Sequence, residues 1–302
     1  MHYSVSCHHS CKNLLLNVLK MATNNKLRLI TYLAPGVPME LFETIMYYLE
    51  EETGKEGYLI TESRWSGPPP ERTDPFTADE ADIGFMCSSG FLRLLEHKNK
   101  NIELCKAGFI PLHSKAQNRS VYFSEVIINS ANAEKYKELH DLRGHTFAYN
   151  DPMSMSGTLV MLSELKKMGF NATFFGNVFQ SGSHLNSIQL VLDQKVSAAA
   201  IDSNTMAMFL ASHPEYKNNI KVLCSFGPLP MYPIVFNSKL PDELKNQIQT
   251  ALLKMHTLPE WKARLNRCSI ERFTEIDISL YNVEKELKEF VKGQSIASAA
   301  YY

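Results

Sequence analysis

At 302 residues, with 44% hydrophobic and 21% charged side chains, the chain is long enough for one large or two ordinary domains and too apolar to stay unfolded. Its formal net charge is −1 and its 31 basic residues are scattered, which argues against nucleic acid or an anionic membrane surface as a partner. Six widely spaced cysteines in a chain of this length exclude a secreted disulfide scaffold.

Residues 1–26 read as an N-terminal extension, expected to be disordered. Cys7-His8-His9-Ser10-Cys11 has no second ligand pair at metal-site spacing, so no metal is expected there or elsewhere. The apolar run at 13–21 (Leu14, Leu15, Leu16, Val18, Leu19) is too short to cross a bilayer. A leader would need a longer apolar stretch, and Met21-Ala-Thr-Asn-Asn25 makes a poor cleavage site after it. The expectation is therefore a cytoplasmic protein without membrane insertion.

Lys26 to Tyr32 alternates as a strand, and Glu40 to Glu51 carries Leu41, Ile45, Met46 and Leu49 at helical spacing. Further strands are predicted at 57–62 and 81–86, and a helix at 91–96 after the Cys87-Ser-Ser-Gly90 turn. The long apolar stretch 121–128 opens a second unit: strand 145–149, helix 156–168, strand 173–178, helix 184–194, and strands 197–201 and 220–224. Met231 to Asn237 returns extended, and amphipathic helices at 241–255, 259–267 and 278–291 close the chain, with 293–302 a frayed tail. Strand–helix alternation predicts α/β, each unit a mostly parallel sheet flanked by helices. Two extended crossings between the units predict a two-lobed clamshell, with 27–120 plus 230–292 in lobe 1 and 121–229 in lobe 2. Ligands of such folds sit beyond the carboxyl ends of the strands, between the halves.

The most informative stretch is Asn150-Asp-Pro-Met-Ser-Met-Ser-Gly-Thr158, where a strand hands over to a helix. The first N–H groups of a helix have no internal partner and carry the positive end of its dipole. Ser154, Ser156 and Thr158 add hydroxyl donors, and Gly157 lets a ligand approach the backbone, so the turn is suited to an anion. An Asp-Pro turn with a Ser cap is also an ordinary helix start. A second Gly/Ser helix start, Ser181-Gly-Ser-His184, adds an imidazole that can donate to an oxyanion. Strand 197–201 leads into Asp202. In the first unit the loops after successive strands present Tyr32, Trp65, and Ser88 with Ser89. Each of these has a plainer use as a cap, a turn residue or packing.

In this order, Asp151-Pro-Met-Ser-Met-Ser-Gly157, Gly182-Ser-His184 and Ala200-Ile-Asp202, with Asp141-Leu-Arg-Gly144 and Ala81-Asp-Ile-Gly-Phe85 before them, resemble the phosphonate-binding periplasmic proteins of ABC transporters. The resemblance runs from about Leu27 to about Val291 and implies a type II periplasmic-binding-protein clamshell. It implies that Ser154, Met155 and Ser156 present hydroxyl and backbone donors to the anion and that His184 donates a further bond. It further implies that Asp202 meets a ligand ammonium and that Tyr32 closes the pocket from lobe 1. The second acidic residue offered by aminophosphonate binders is missing at Ser225-Phe-Gly-Pro228, so the expected ligand is a simpler phosphonate, a phosphate ester or a similar oxyanion. No cofactor is implied and the transporter partner is left open. The N-terminal extension and Arg64-Trp-Ser-Gly-Pro68 suggest a eukaryotic or otherwise stand-alone relative.

The competing expectation is an enzyme on the same scaffold, with His184 as acid/base, Asp202 as its partner and Cys87 as nucleophile. No dinucleotide fingerprint or Gly-x-Ser-x-Gly elbow accompanies these residues.

Overall fold

A computed structural model describes residues 25–34 and 36–299. The Cys7–Cys11 segment, the apolar run at 13–21 and the end of the tail lie outside the described residues. The strands are β1 (Lys26–Thr31), β2 (Glu56–Thr61), β3 (Ile83–Phe85), β4 (Ile102–Leu104), β5 (Ala107–Pro111), β6 (Val121–Asn129), β7 (Thr146–Tyr149), β8 (Asn177–Gln180), β9 (Ala198–Asp202), β10 (Ile220–Pro230), β11 (Ile234–Asn237) and β12 (Ile270–Glu275). The helices are α1 (Met39–Thr53), α2 (Ser88–Glu96), α3 (Val160–Lys167), α4 (His184–Leu192), α5 (Ser203–Ser212), α6 (Asp242–Lys254), α7 (Pro259–Arg267) and α8 (Asn282–Phe290).

Two five-stranded sheets result, ordered β2-β1-β3-β11-β4 and β10-β6-β9-β7-β8, with β5 and β12 as a separate pair. The βαβ alternation supplies the parallel pairs β1–β2, β1–β3, β7–β8 and β7–β9. The sheets are nonetheless mixed. The strands that carry the chain between lobes enter antiparallel, β11 between β3 and β4, and β6 between β9 and β10. The crossings run side by side where they leave the second sheet: Met231 N–H donates to the Ser120 carbonyl at 3.1 Å.

Local chemistry explains most boundaries. Helix α1 buries Leu41, Phe42, Ile45, Met46 and Leu49 and stops at Gly54, whose φ of 66° permits a left-handed cap. Packing of α1 on the first sheet brings Phe42 to 5.1 Å from Phe85, ring centre to ring centre. The strand predicted at 173–178 is displaced to 177–180. Asn171 accepts from the Thr173 N–H and turns 172–174 into a 3-10 segment, so that Phe175 stacks on Phe147 at 4.2 Å. β4, β5 and β12 had no sequence signal. They are short or partly exposed, and β5 and β12 exist by pairing with each other.

Candidate ligand-binding cleft

The loops after β1, β2, β3, β7 and β8 and the end of β9 line one cavity of about 80 Å³. Register explains the convergence on the second-lobe side. β7 and β8 are parallel neighbours with Tyr149 opposite Gln180. The turns beyond them stay bonded, Ser181 N–H to the Tyr149 carbonyl at 2.8 Å and Gly182 N–H to the Asn150 carbonyl at 3.1 Å. Two helix starts therefore lie side by side. Ser154 caps the first, a π-helical turn Met155–Leu159 leading into α3, by accepting from the Gly157 N–H at 3.1 Å. The amides of Met155 and Ser156 precede the first intrahelical bond; that of Met155 faces the Cys87 thiol, and that of Ser156 is left by the helix for another acceptor. Ser183 caps the second, α4, by accepting from Asn186 N–H at 3.1 Å. Ser156 Oγ and His184 Nε2 stand 3.5 Å apart. The Ser156 carbonyl is pinned by the Ser124 hydroxyl of β6 at 2.6 Å.

Gly157 has a steric reason. A Cβ there would come within 1.9 Å of Asn150 Oδ1, a buried acceptor with no partner. His184 is half-buried as a residue, but its Nδ1 is shielded from solvent and the ring faces the Ala200 backbone. Desolvation pushes its imidazole down to about 4, so the ring is neutral at neutral pH. Asp202 is buried and fully engaged. Oδ1 accepts from the Asn204 and Thr205 N–H groups at the start of α5, and Oδ2 accepts from the Tyr232 hydroxyl at 2.8 Å. Burial raises its carboxyl to about 6 against these bonds.

From lobe 1, Tyr32 is held by its N–H donating to the Phe85 carbonyl at 2.9 Å, and burial keeps its phenol protonated. The Trp65 loop is tied by Cys87 N–H donating to the Ser66 carbonyl at 2.8 Å. It lies so close to the start of α2 that a Cβ on Gly67 would be 3.0 Å from Gly90 Cα.

Of the residues singled out from sequence, Tyr32, Trp65, Ser154, Ser156, His184 and Asp202 share this cavity lining. Met155, Gly157, Thr158 and Ser88 are buried outside it, and Ser89 lines an adjoining cavity. The Thr158 hydroxyl donates to the Asp151 carbonyl at 2.7 Å, bracing the turn from behind. Sequence reasoning missed Tyr122 and Tyr232, which also line the cavity. They sit on the crossings, where no local motif marks them. Asn150 and Asp151 lay inside the quoted turn but were not singled out. The residues of the enzyme reading, Cys87, His184 and Asp202, all line the cavity, but their surroundings do not activate them as that reading requires. Burial pushes the Cys87 thiol up, away from the thiolate a nucleophile needs, and Asp202 is bonded to Tyr232 and the α5 amides rather than to His184.

A family model of ABC-transporter phosphonate periplasmic substrate-binding proteins matches residues 29–281, and the chain belongs to that family. It is 27% identical over 183 residues to the phosphonates-binding periplasmic protein of Escherichia coli (strain K12), covering 59% of this chain and 53% of that protein. The chain thus spans about half the length of that relative. Among solved structures it is similar to a binding-protein component of an ABC phosphonate transporter from Pseudomonas aeruginosa, with TM-score 0.72, 19% identity, and 88% and 86% of the two chains covered. It is also similar to PhnD1 of Prochlorococcus marinus in complex with methylphosphonate, with TM-score 0.74, 15% identity, and 88% and 97% covered. The fold is therefore that of the two-lobed periplasmic binding proteins.

The expected cytoplasmic location is overturned, because the family consists of periplasmic substrate-binding proteins. The sequence argument failed on length: the apolar core of a leader can be as short as about seven residues, so the run at 13–21 did not exclude one. Among the described residues no helix is long and apolar enough to cross a membrane.

Proposed function

We propose that this protein captures a small phosphonate, phosphate monoester or similar oxyanion between its lobes, as the substrate-binding component of an ABC transporter. The observation that carries the reading is the pair of adjacent helix starts, with Ser156 Oγ 3.5 Å from His184 Nε2 inside a cavity completed by Tyr32 and Trp65 of the other lobe. The Ser156 amide, the Ser156 hydroxyl and His184 supply donors on one side, and the Tyr32 hydroxyl supplies one on the other. A buried donor left without an acceptor costs roughly 1–3 kcal/mol, which disfavours ligands lacking the oxygens. Donors from both lobes act together only when the cleft is shut, so closure and binding are coupled. Asp202 has both oxygens engaged, which supports a ligand without an ammonium. The methylphosphonate held by the Prochlorococcus marinus relative is such a ligand.

Titration calorimetry and thermal unfolding with methylphosphonate test the reading. At one hundred times its dissociation constant the ligand should stabilise the fold by about 2.7 kcal/mol. Ser156→Asp should remove binding while leaving the fold, because a helix start tolerates negative charge but an anion beside it does not. The absence of binding by every phosphonate, phosphate ester and sulfate tried, or undiminished affinity in Ser156→Asp, would overturn it.

A further inference from the structure

The 80 Å³ cavity has room for the anion and little else, but a second cavity of about 640 Å³ adjoins it. Arg64, Trp65 and Asp151 line both, and the outer cavity adds Arg93, Ser89 and Glu71. Among the described residues the guanidinium groups of Arg64 and Arg93 take part in no direct ion pair of the kind Arg28 makes with Asp82 at 2.7 Å, although the Arg93 charge is near enough to Asp151 to favour its ionised form. One further donor of this region, Trp65 Nε1, is buried without a partner, while the Ser89 hydroxyl faces the Cys87 thiol. An unmatched buried donor and two guanidinium groups without a direct ion pair in one space call for acceptor oxygens.

From this arrangement we infer that the ligand's organic arm passes Trp65 into the outer cavity and ends in a carboxylate held by Arg93 and Arg64. This rests on the oxyanion site proposed above and specifies the class of molecule: a phosphonate or phosphate ester with a second anionic group at its far end. The acidic side chains there do not reverse the preference. Asp151 Oδ1 already accepts from the Met153 N–H at 2.6 Å, and burial raises its carboxyl, so it is a poor partner for an ammonium. Glu71 and Arg64 are both exposed, where water screens their charges alike, which leaves the half-buried Arg93 as the stronger pole. A guanidinium, by contrast, offers a planar pair of donors matched to a carboxylate.

Calorimetry at low ionic strength decides it, comparing methylphosphonate, n-propylphosphonate, 2-aminoethylphosphonate and 3-phosphonopropionate. The carboxylated ligand should bind at least tenfold tighter than its alkyl counterpart, and the advantage should shrink with added salt. Arg93→Met should cut that ratio at least fivefold, and Arg93→Lys should restore part of it. If Arg93→Met does not fold, Arg64→Met, on an exposed loop, reads the same ratio. Equal affinity for the carboxylated and alkyl ligands, tighter binding of 2-aminoethylphosphonate than of both, or an unchanged ratio in the folded arginine variant would overturn the inference while methylphosphonate binding still stands. Failure of all four ligands to bind would overturn this inference together with the oxyanion site.

Discussion

His184 and Asp202 line the same cavity but are displaced in opposite directions by one cause, loss of water. His184 falls from 6.5 to about 4, so the unfolded chain binds more protons between those values, and this group's contribution to stability is lost as pH falls through them. Asp202 rises from 3.8 to about 6, so its contribution is present at low pH and is lost as pH rises through about 6. Between pH 4 and 6 the two oppose each other, and each single variant should unmask the other. Relative to wild type, His184→Gln should gain stability on acidification. Asp202→Asn should gain on going to neutral pH, with about 3 kcal/mol as the ceiling set by its shift. Urea unfolding at pH 4.5 and 7 checks both, and parallel pH profiles for the three proteins would contradict the assignment. Gly157 gives a steric prediction at the same scale. Gly157→Ala drives its Cβ into Asn150 Oδ1, 1.9 Å away, so it should cost about 1–3 kcal/mol and weaken methylphosphonate binding by disturbing the turn.

Helix α8 is the element whose sequence pattern and structure disagree most. Its apolar Val283 and Phe290 are exposed at 46% and 42%, while Glu284 is fully buried. The helix packs against α2 of one lobe and against α3 and the Met155–Leu159 turn of the other, and Glu284 points into that junction beside the Ser88 hydroxyl. Burial raises its carboxyl to about 8, so it is held neutral at physiological pH. A folded-state value above the unfolded 4.5 means that its stabilising contribution is full at acid pH and is lost as pH rises through 8. Glu284→Gln should therefore raise Tm relative to wild type at pH 9 and change it little at pH 5, measured by thermal unfolding. An equal change at both values would mean that the carboxyl is already ionised when folded.

At the scale of the whole molecule, the lobes are joined by two side-by-side, antiparallel crossings bonded at Ser120 and Met231, and the cavity draws residues from both sides. Such a molecule should become more compact when an anion links the two linings. Small-angle X-ray scattering should show a smaller radius of gyration on saturation with methylphosphonate, and no change for Ser156→Asp. Equal compaction in that variant would separate closure from the oxyanion site.

Repeating apolar spacing marked α1, α6 and α7 to within a few residues. Small hydroxyl residues at strand ends marked the starts of α3 and α4. These are legible in sequence because caps and helical faces are made by residues within one or two turns of each other. That both helix starts meet in one cavity depends on β7 and β8 lying parallel in register, and Tyr122 and Tyr232 reach it only because the chain crosses between lobes twice. The β5–β12 pair, the buried carboxyl of Glu284 and the outer cavity with Arg93 likewise arise from contacts between residues far apart in the chain, whose burial no local window encodes. The sequence by itself thus determined the elements and the chemistry at their ends. Only the tertiary structure decided which of those ends share a space, because long-range packing sets distance and desolvation, and these in turn set what each group can bind.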